Sequence, residues 1–117
     1  EEKISVIYQT CHDRFMQERS QKSLRAAKEK YQLPDQYLFY VGSVIERKNL
    51  LGIVKAITLL PKDLQLPLVV VGGRSEYQRQ VETFIAKEGL QERVFFISPT
   101  FKDLSALYQQ AQVFLYP

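Results

Sequence analysis

The 117-residue chain contains no tryptophan, one cysteine, one histidine and one methionine, with only five glycines and five prolines. A lone cysteine, Cys11, excludes an internal disulfide framework and fits a reducing compartment. His12 is its neighbour, but adjacent residues at a strand end point apart, so the two are read neither as a nucleophilic dyad nor as a metal site. No apolar run approaches the roughly 18 residues of a membrane span, and the opening has no signal-peptide pattern. An intracellular, soluble domain is therefore expected. The 16 basic and 13 acidic residues are interspersed and give a net charge of +3, with no stripe of the kind that binds nucleic acid. Two glycine turns read GSVIER at 42–47 and GGRSEY at 72–77, so neither the GxGxxG fingerprint nor a GxxxxGK[ST] loop is present. This argues against a dehydrogenase and a P-loop ATPase.

What is present is enough for a real core: 45% hydrophobic and 25% charged residues are ordinary for a globular protein. The stretch 37–60 organises the chain. An aromatic and β-branched run, Leu38 to Val41, stops at Gly42, and apolar residues then return at helical spacing as Leu50, Ile53, Val54, Ile57 and Leu60. Strand, glycine turn and helix open a βαβ unit, whose turn lies where open α/β sheets bind ligands. Arg47 and Lys48 precede a helix capped by Asn49, where each exposed cation costs on the order of 0.3–1 kcal/mol against the helix dipole. An anion held on the free N–H groups of that turn reverses the sign, and phosphate is the usual one.

The other elements follow in order. Ile4 to Tyr8 reads as a first or edge strand, and Asp13 to Tyr31 as a surface helix broken near Ser20 to Ser23 and ended by Leu33-Pro34. The unalternating run 67–71 reads as a strand buried on both faces, ending on Gly72 and Gly73. Arg74 then precedes a helix capped by Ser75, in a capping-box pattern with Gln78, and Gly89 stops that helix. A third cycle places a strand at 94–97 and a helix opened by Thr100 and Asp103, and Val113 to Tyr116 begins a further strand. The expected fold is α/β: a Rossmann-like open parallel sheet with helices on both faces. A final strand with no covering helix suggests a domain cut inside its own sequence. Gly42, Ser43, Arg47, Lys48, Gly72, Gly73 and Arg74 are expected to converge on one anion-binding crevice.

The ordered set YVGSVIERKNLLGIVKAI, LPLVVVGGRSEY and RVFFISPTFKDLSALYQQAQVFLYP resembles the C-terminal, donor-binding domain of retaining GT-B glycosyltransferases of the group-1 type, over residues 37–117. Residues 1–15 resemble the segment that crosses from the other domain. The resemblance implies a nucleotide-diphosphate sugar as donor substrate, with no cofactor and no metal. It also implies Lys48 as the lysine that holds the diphosphate, helped by Arg47, and Gly42, Gly72 and Gly73 lining the cleft. Two departures stand out: Ser43 occupies a position where family members commonly carry arginine, and Ile97-Ser98-Pro99 lacks the usual glycine. The family's acceptor-binding N-terminal domain and downstream glutamate pair are not in these residues, so a complete active site is not expected here. Such enzymes often work at the cytoplasmic membrane surface. The competing reading is a non-catalytic nucleotide- or phosphate-binding or regulatory α/β module, distinguished by whether a glutamate pair follows.

Overall fold

The computed structural model describes residues 3–117. Four parallel strands, β1 (Leu38–Val41), β2 (Leu68–Val71), β3 (Val94–Ile97) and β4 (Val113–Phe114), form one sheet in the order β3-β2-β1-β4. The register aligns Leu38 with Leu68 and Val113, and Leu68 with Val94. Successive strand side chains point to opposite faces, so a run without polar residues demands cover on both. Leu38, Tyr40, Leu68 and Val70 face Leu50 and Val54 of α2 (Leu50–Thr58) and Val81 and Ile85 of α3 (Glu76–Lys87). Phe39 and Val69 face the other way, onto Leu107 of α4 (Phe101–Gln110) and onto Leu33, which follows α1 (Gln21–Lys30). Phe39 and the β2 residues Leu68, Val69 and Val70 are wholly buried, and each such side chain contributes about 1.5–3 kcal/mol. The expected parallel sheet covered on both faces is the observed one.

Caps set where the helices start. The Ser20 side chain accepts from the Ser23 amide, Ser75 from Gln78 and Thr100 from Asp103, as short polar side chains do at N-caps. The Ser75 box is half-made, because the Gln78 amide group turns to Glu82. At the end of α3, Leu90 N–H bonds Ile85 C=O and Gly89 N–H bonds Ala86 C=O, with Gly89 at φ +67°, a Schellman stop that needs glycine. The helix expected over 13–31 is divided: a 3-10 turn at Asp13–Phe15 is followed by Ser20 in extended backbone, and α1 begins only at Gln21. The strand expected at Ile4 to Tyr8 does not form. Ile4, Val6, Ile7 and Tyr8 are each at least 76% exposed and pair with no strand, because β propensity has no effect without a sheet edge to receive it. The last strand is two residues long where four were expected, although Leu115 N–H adds one more bond to Phe39 C=O.

Asp103, in the first turn of α4, joins that helix to α1. Its carboxylate accepts from Lys30 Nζ and Tyr31 Oη, both at 2.7 Å, and from Thr100 Oγ1 at 3.0 Å. The Lys30 and Tyr31 hydrogen bonds hold its pKa down, from 3.8 to about 2. A carboxyl depressed in the folded state stabilises fully above its unfolded value and loses that contribution as pH falls through the folded one. Stability is therefore expected to drop between about pH 4 and pH 2 partly through this group. Asp103→Asn should cost about 1–2 kcal/mol at pH 7 and flatten that drop, as read by urea unfolding at a series of pH values.

Candidate functional site

The chain runs β1 to β2 to β3 in one direction and then returns to place β4 on the far side of β1. At such a reversal the loops after the two flanking strands diverge and leave a crevice at their carboxyl ends. Here those loops are residues 42–49, after β1, and 115–117, after β4.

The β1 loop is fixed by its neighbours. Gly42 N–H bonds Val71 C=O at 2.9 Å, the Tyr40 hydroxyl donates to Ser43 C=O at 3.0 Å, and the Ser75 hydroxyl donates to Val44 C=O. Val44 itself is buried in the α2–α3 core. Gly72 makes this contact between loops possible: a methyl group there would overlap the Gly42 carbonyl oxygen and lie 2.7 Å from Val44 Cγ2. The loop then makes a 3-10 turn over Glu46–Lys48 and reaches Asn49, whose left-handed backbone (φ +49°) lets its side chain cap the Gly52 amide. The Leu51 amide donates to Tyr77 Oη at 3.0 Å. Two amides at the start of α2, those of Leu51 and Gly52, are thus already occupied. Among the described residues the amides of the exposed Ser43, Glu46 and Arg47 make no hydrogen bond, and neither does that of Leu50 at the start of α2.

The cations divide between two places. Lys48 crosses the crevice to the β4 side, where its ammonium donates to Tyr116 Oη at 2.7 Å and lies 4.5 Å from the ring centroid. The Tyr116 ring stacks on Phe114 with centroids 6.4 Å apart. Lys48, by its hydrogen bond and then its charge, and Arg47 by its charge, pull the Tyr116 phenol below the ordinary tyrosine range. Arg47 and Ser43 are exposed on the same loop. Arg74 lies elsewhere: with Gly72, Ser75, Arg79, Phe96 and Ser98 it lines a cleft of about 650 Å³ between α3 and the end of β3. Gly73 beside it is exposed and open, with no atom within 4 Å of a Cβ built there. The structure therefore brings together Gly42, Ser43 and Gly72, and separately Arg47, Lys48 and Tyr116, while Arg74 serves the neighbouring cleft rather than the Lys48 side. Sequence reading missed Tyr116, taking it as the tail of a strand; its signal was its position just past the last strand, on the far side of the reversal.

Parallel strands in this order with helices on both faces make a Rossmann-like α/β domain of the sort seen in GT-B glycosyltransferases. The crystal structure of WaaG, a glycosyltransferase involved in lipopolysaccharide biosynthesis, matches with a TM-score of 0.70 at 29% identity, over 90% of this chain and 29% of that one. Sucrose-phosphate synthase from Thermosynechococcus elongatus matches with a TM-score of 0.64 at 26% identity, over 80% of this chain and 25% of that one. Residues 21–117 fit the family model of glycosyl transferases group 1, and the chain belongs to that family. Relatives include the O-antigen chain mannosyltransferase B of Escherichia coli, 35% identical over 76% of this chain and 24% of its own length. The serotype-specific mannosyltransferase WbdA of Escherichia coli is 29% identical over 84% of this chain and 13% of its own length. The chain thus spans a quarter or less of these curated relatives. Among the described residues no helix is long and apolar enough to cross a membrane.

Proposed function

We propose that this chain is the donor-binding part of a retaining glycosyltransferase, the C-terminal of two domains in a longer polypeptide, and that it holds a nucleoside-diphosphate sugar at the reversal between β1 and β4. The observation that carries the reading is Lys48, held over that crevice beside a loop whose exposed Ser43, Glu46 and Arg47 have unpaired amides among the described residues. Amides and an ammonium together form an anion site suited to a diphosphate. Lys48, aided by Arg47, stabilises the charge that builds on the departing diphosphate, an electrostatic role with no proton transfer. Gly42, Ser43, Gly72 and Gly73 let the ligand approach the backbone, and Arg74, in the cleft beside β3, is left outside this site. The acceptor and the glutamates that hold the sugar come from outside these residues, and no metal or further cofactor is called for. The names of the curated relatives make a nucleoside-diphosphate mannose the first donor to test. By the same reasoning the enzyme works in the cytoplasm, peripherally at a membrane surface, as suits relatives of lipopolysaccharide and O-antigen assembly.

The test is made on the full-length protein. Calorimetric titration with a panel of nucleoside-diphosphate sugars should give saturable binding, and NMR of the transfer product should show the donor's anomeric configuration. An inverted product would overturn retention. Binding without transfer, in a protein with no downstream glutamate pair, would favour a non-catalytic module.

A further inference from the structure

Lys48 and Tyr116 are 68 positions apart in sequence, and the contact between them is the one hydrogen bond between side chains that crosses the β1–β4 reversal among the described residues. The lysine follows β1 and the tyrosine follows β4, so the contact joins the two loops that bound the crevice. A lysine side chain has about 2 kcal/mol of rotamer entropy, and an ammonium on a four-carbon stem at a loop end has little else to hold it in one direction. Tyr116 holds it at two points, its hydroxyl at 2.7 Å and its ring centroid at 4.5 Å. The ring is itself steadied against Phe114, which meets Phe39 edge-on and Tyr108 at a tilt. An ammonium has three donors, so one spent on the phenol leaves two for phosphate oxygens.

We propose that Tyr116 is a positioning residue for the donor site: it fixes the direction of the Lys48 ammonium across the crevice, so that its remaining N–H groups face an incoming diphosphate. The inference rests on the donor-binding reading above and adds to it a residue on the opposite wall. Tyr116 acts through Lys48 and not as a phosphate ligand in its own right. The groups that face the phenol are Lys48 and Arg47 on the β1 loop and the Tyr40 phenol on β1. The two cations favour ionisation of Tyr116 below the ordinary tyrosine range. Once ionised, the phenolate competes with the diphosphate for the ammonium.

The experiment is a double-mutant cycle in the full-length protein, with nucleoside diphosphate as the probe and calorimetry as the readout. Tyr116→Phe keeps the ring and is expected to weaken binding about 5-fold, the scale of one ordinary net hydrogen bond. In a Lys48→Ala background the same change should have no further effect. Affinity measured between pH 7 and 10 should fall more steeply in the wild type than in Tyr116→Phe, because only the wild type gains a competing phenolate. Thermal unfolding should be the same for both, since Tyr116 is 67% exposed. If Tyr116→Phe weakens binding equally with and without Lys48, or leaves affinity and its pH profile unchanged while Lys48→Ala is deleterious, the inference fails and the donor site stands. If the wild type binds no nucleoside diphosphate, both fail.

Discussion

Lys48→Ala in the full-length protein is expected to weaken nucleoside-diphosphate binding by about 10- to 100-fold, because a hydrogen bond to a charged group contributes about 1.5–3 kcal/mol. Its effect on turnover should be at least as large. Charge on the leaving diphosphate grows in the transition state, and an ammonium held ready for it acts most strongly there. Arg47→Ala should cost less, about 2- to 5-fold, since its side chain is exposed and makes no hydrogen bond within the described residues that would fix it. Lys48→Arg separates charge from shape: a guanidinium keeps the cation but presents a planar fork, so it should recover part of the binding and less of the rate. Thermal unfolding of all three variants should stay close to that of the wild type, because among the described residues the single side-chain partner of Lys48 is an exposed phenol. Unchanged affinity in Lys48→Ala would remove this lysine from the site.

Gly72→Ala should be strongly destabilising. The new methyl would meet the carbonyl oxygen of Gly42 and, at 2.7 Å, the Cγ2 of Val44. Neither can yield cheaply. The chain is anchored one peptide earlier by the Gly42 N–H bond to Val71 C=O, and Val44 is 1% exposed in the α2–α3 core. Overpacking of this kind costs about 1–3 kcal/mol, and here it also drives apart the two loops that shape the crevice. A loss of about 2–3 kcal/mol is expected, roughly 8–12 °C in melting temperature for a domain of this size. Gly73→Ala is the matched control, with no atom near a Cβ built there, and it should stay within about 0.5 kcal/mol of the wild type. Urea midpoints of the two variants side by side decide the matter: equal midpoints would mean that the loops do not meet as described.

Most of the fold was legible because local and long-range signals agreed. Leu38 to Val41 and Val94 to Ile97 are strands over the residues their apolar runs mark, and Ser20, Asn49, Ser75 and Thr100 all cap helices through their side chains. Ile4 to Tyr8 misled because β-branched composition says that a strand is permitted, while a partner edge decides whether it exists. The site was legible by half. Glycines that end strands show where backbone loops converge, and Arg47 and Lys48 show that the converging place is cationic. Sequence alone did not show that Tyr77 already satisfies the Leu51 amide. Nor did it show that Lys48 leans towards β4 while Arg74 faces the cleft beside β3. Each of these depends on the direction of a side chain across a gap in sequence, and no spacing rule records direction.

The loop after β1 is held by Tyr40 from its own strand, by Ser75 from the start of the next helix and by the bare backbone at Gly72. The two hydroxyl ties back one another, whereas nothing replaces the bare backbone at Gly72. Tyr40→Phe should be tolerated and Ser75→Ala should cost about 1 kcal/mol through its helix cap, whereas the pair together should lose more than the sum of the two. A lineage can therefore shed the tyrosine's tie unnoticed, and its next substitution then falls on a loop with less reserve.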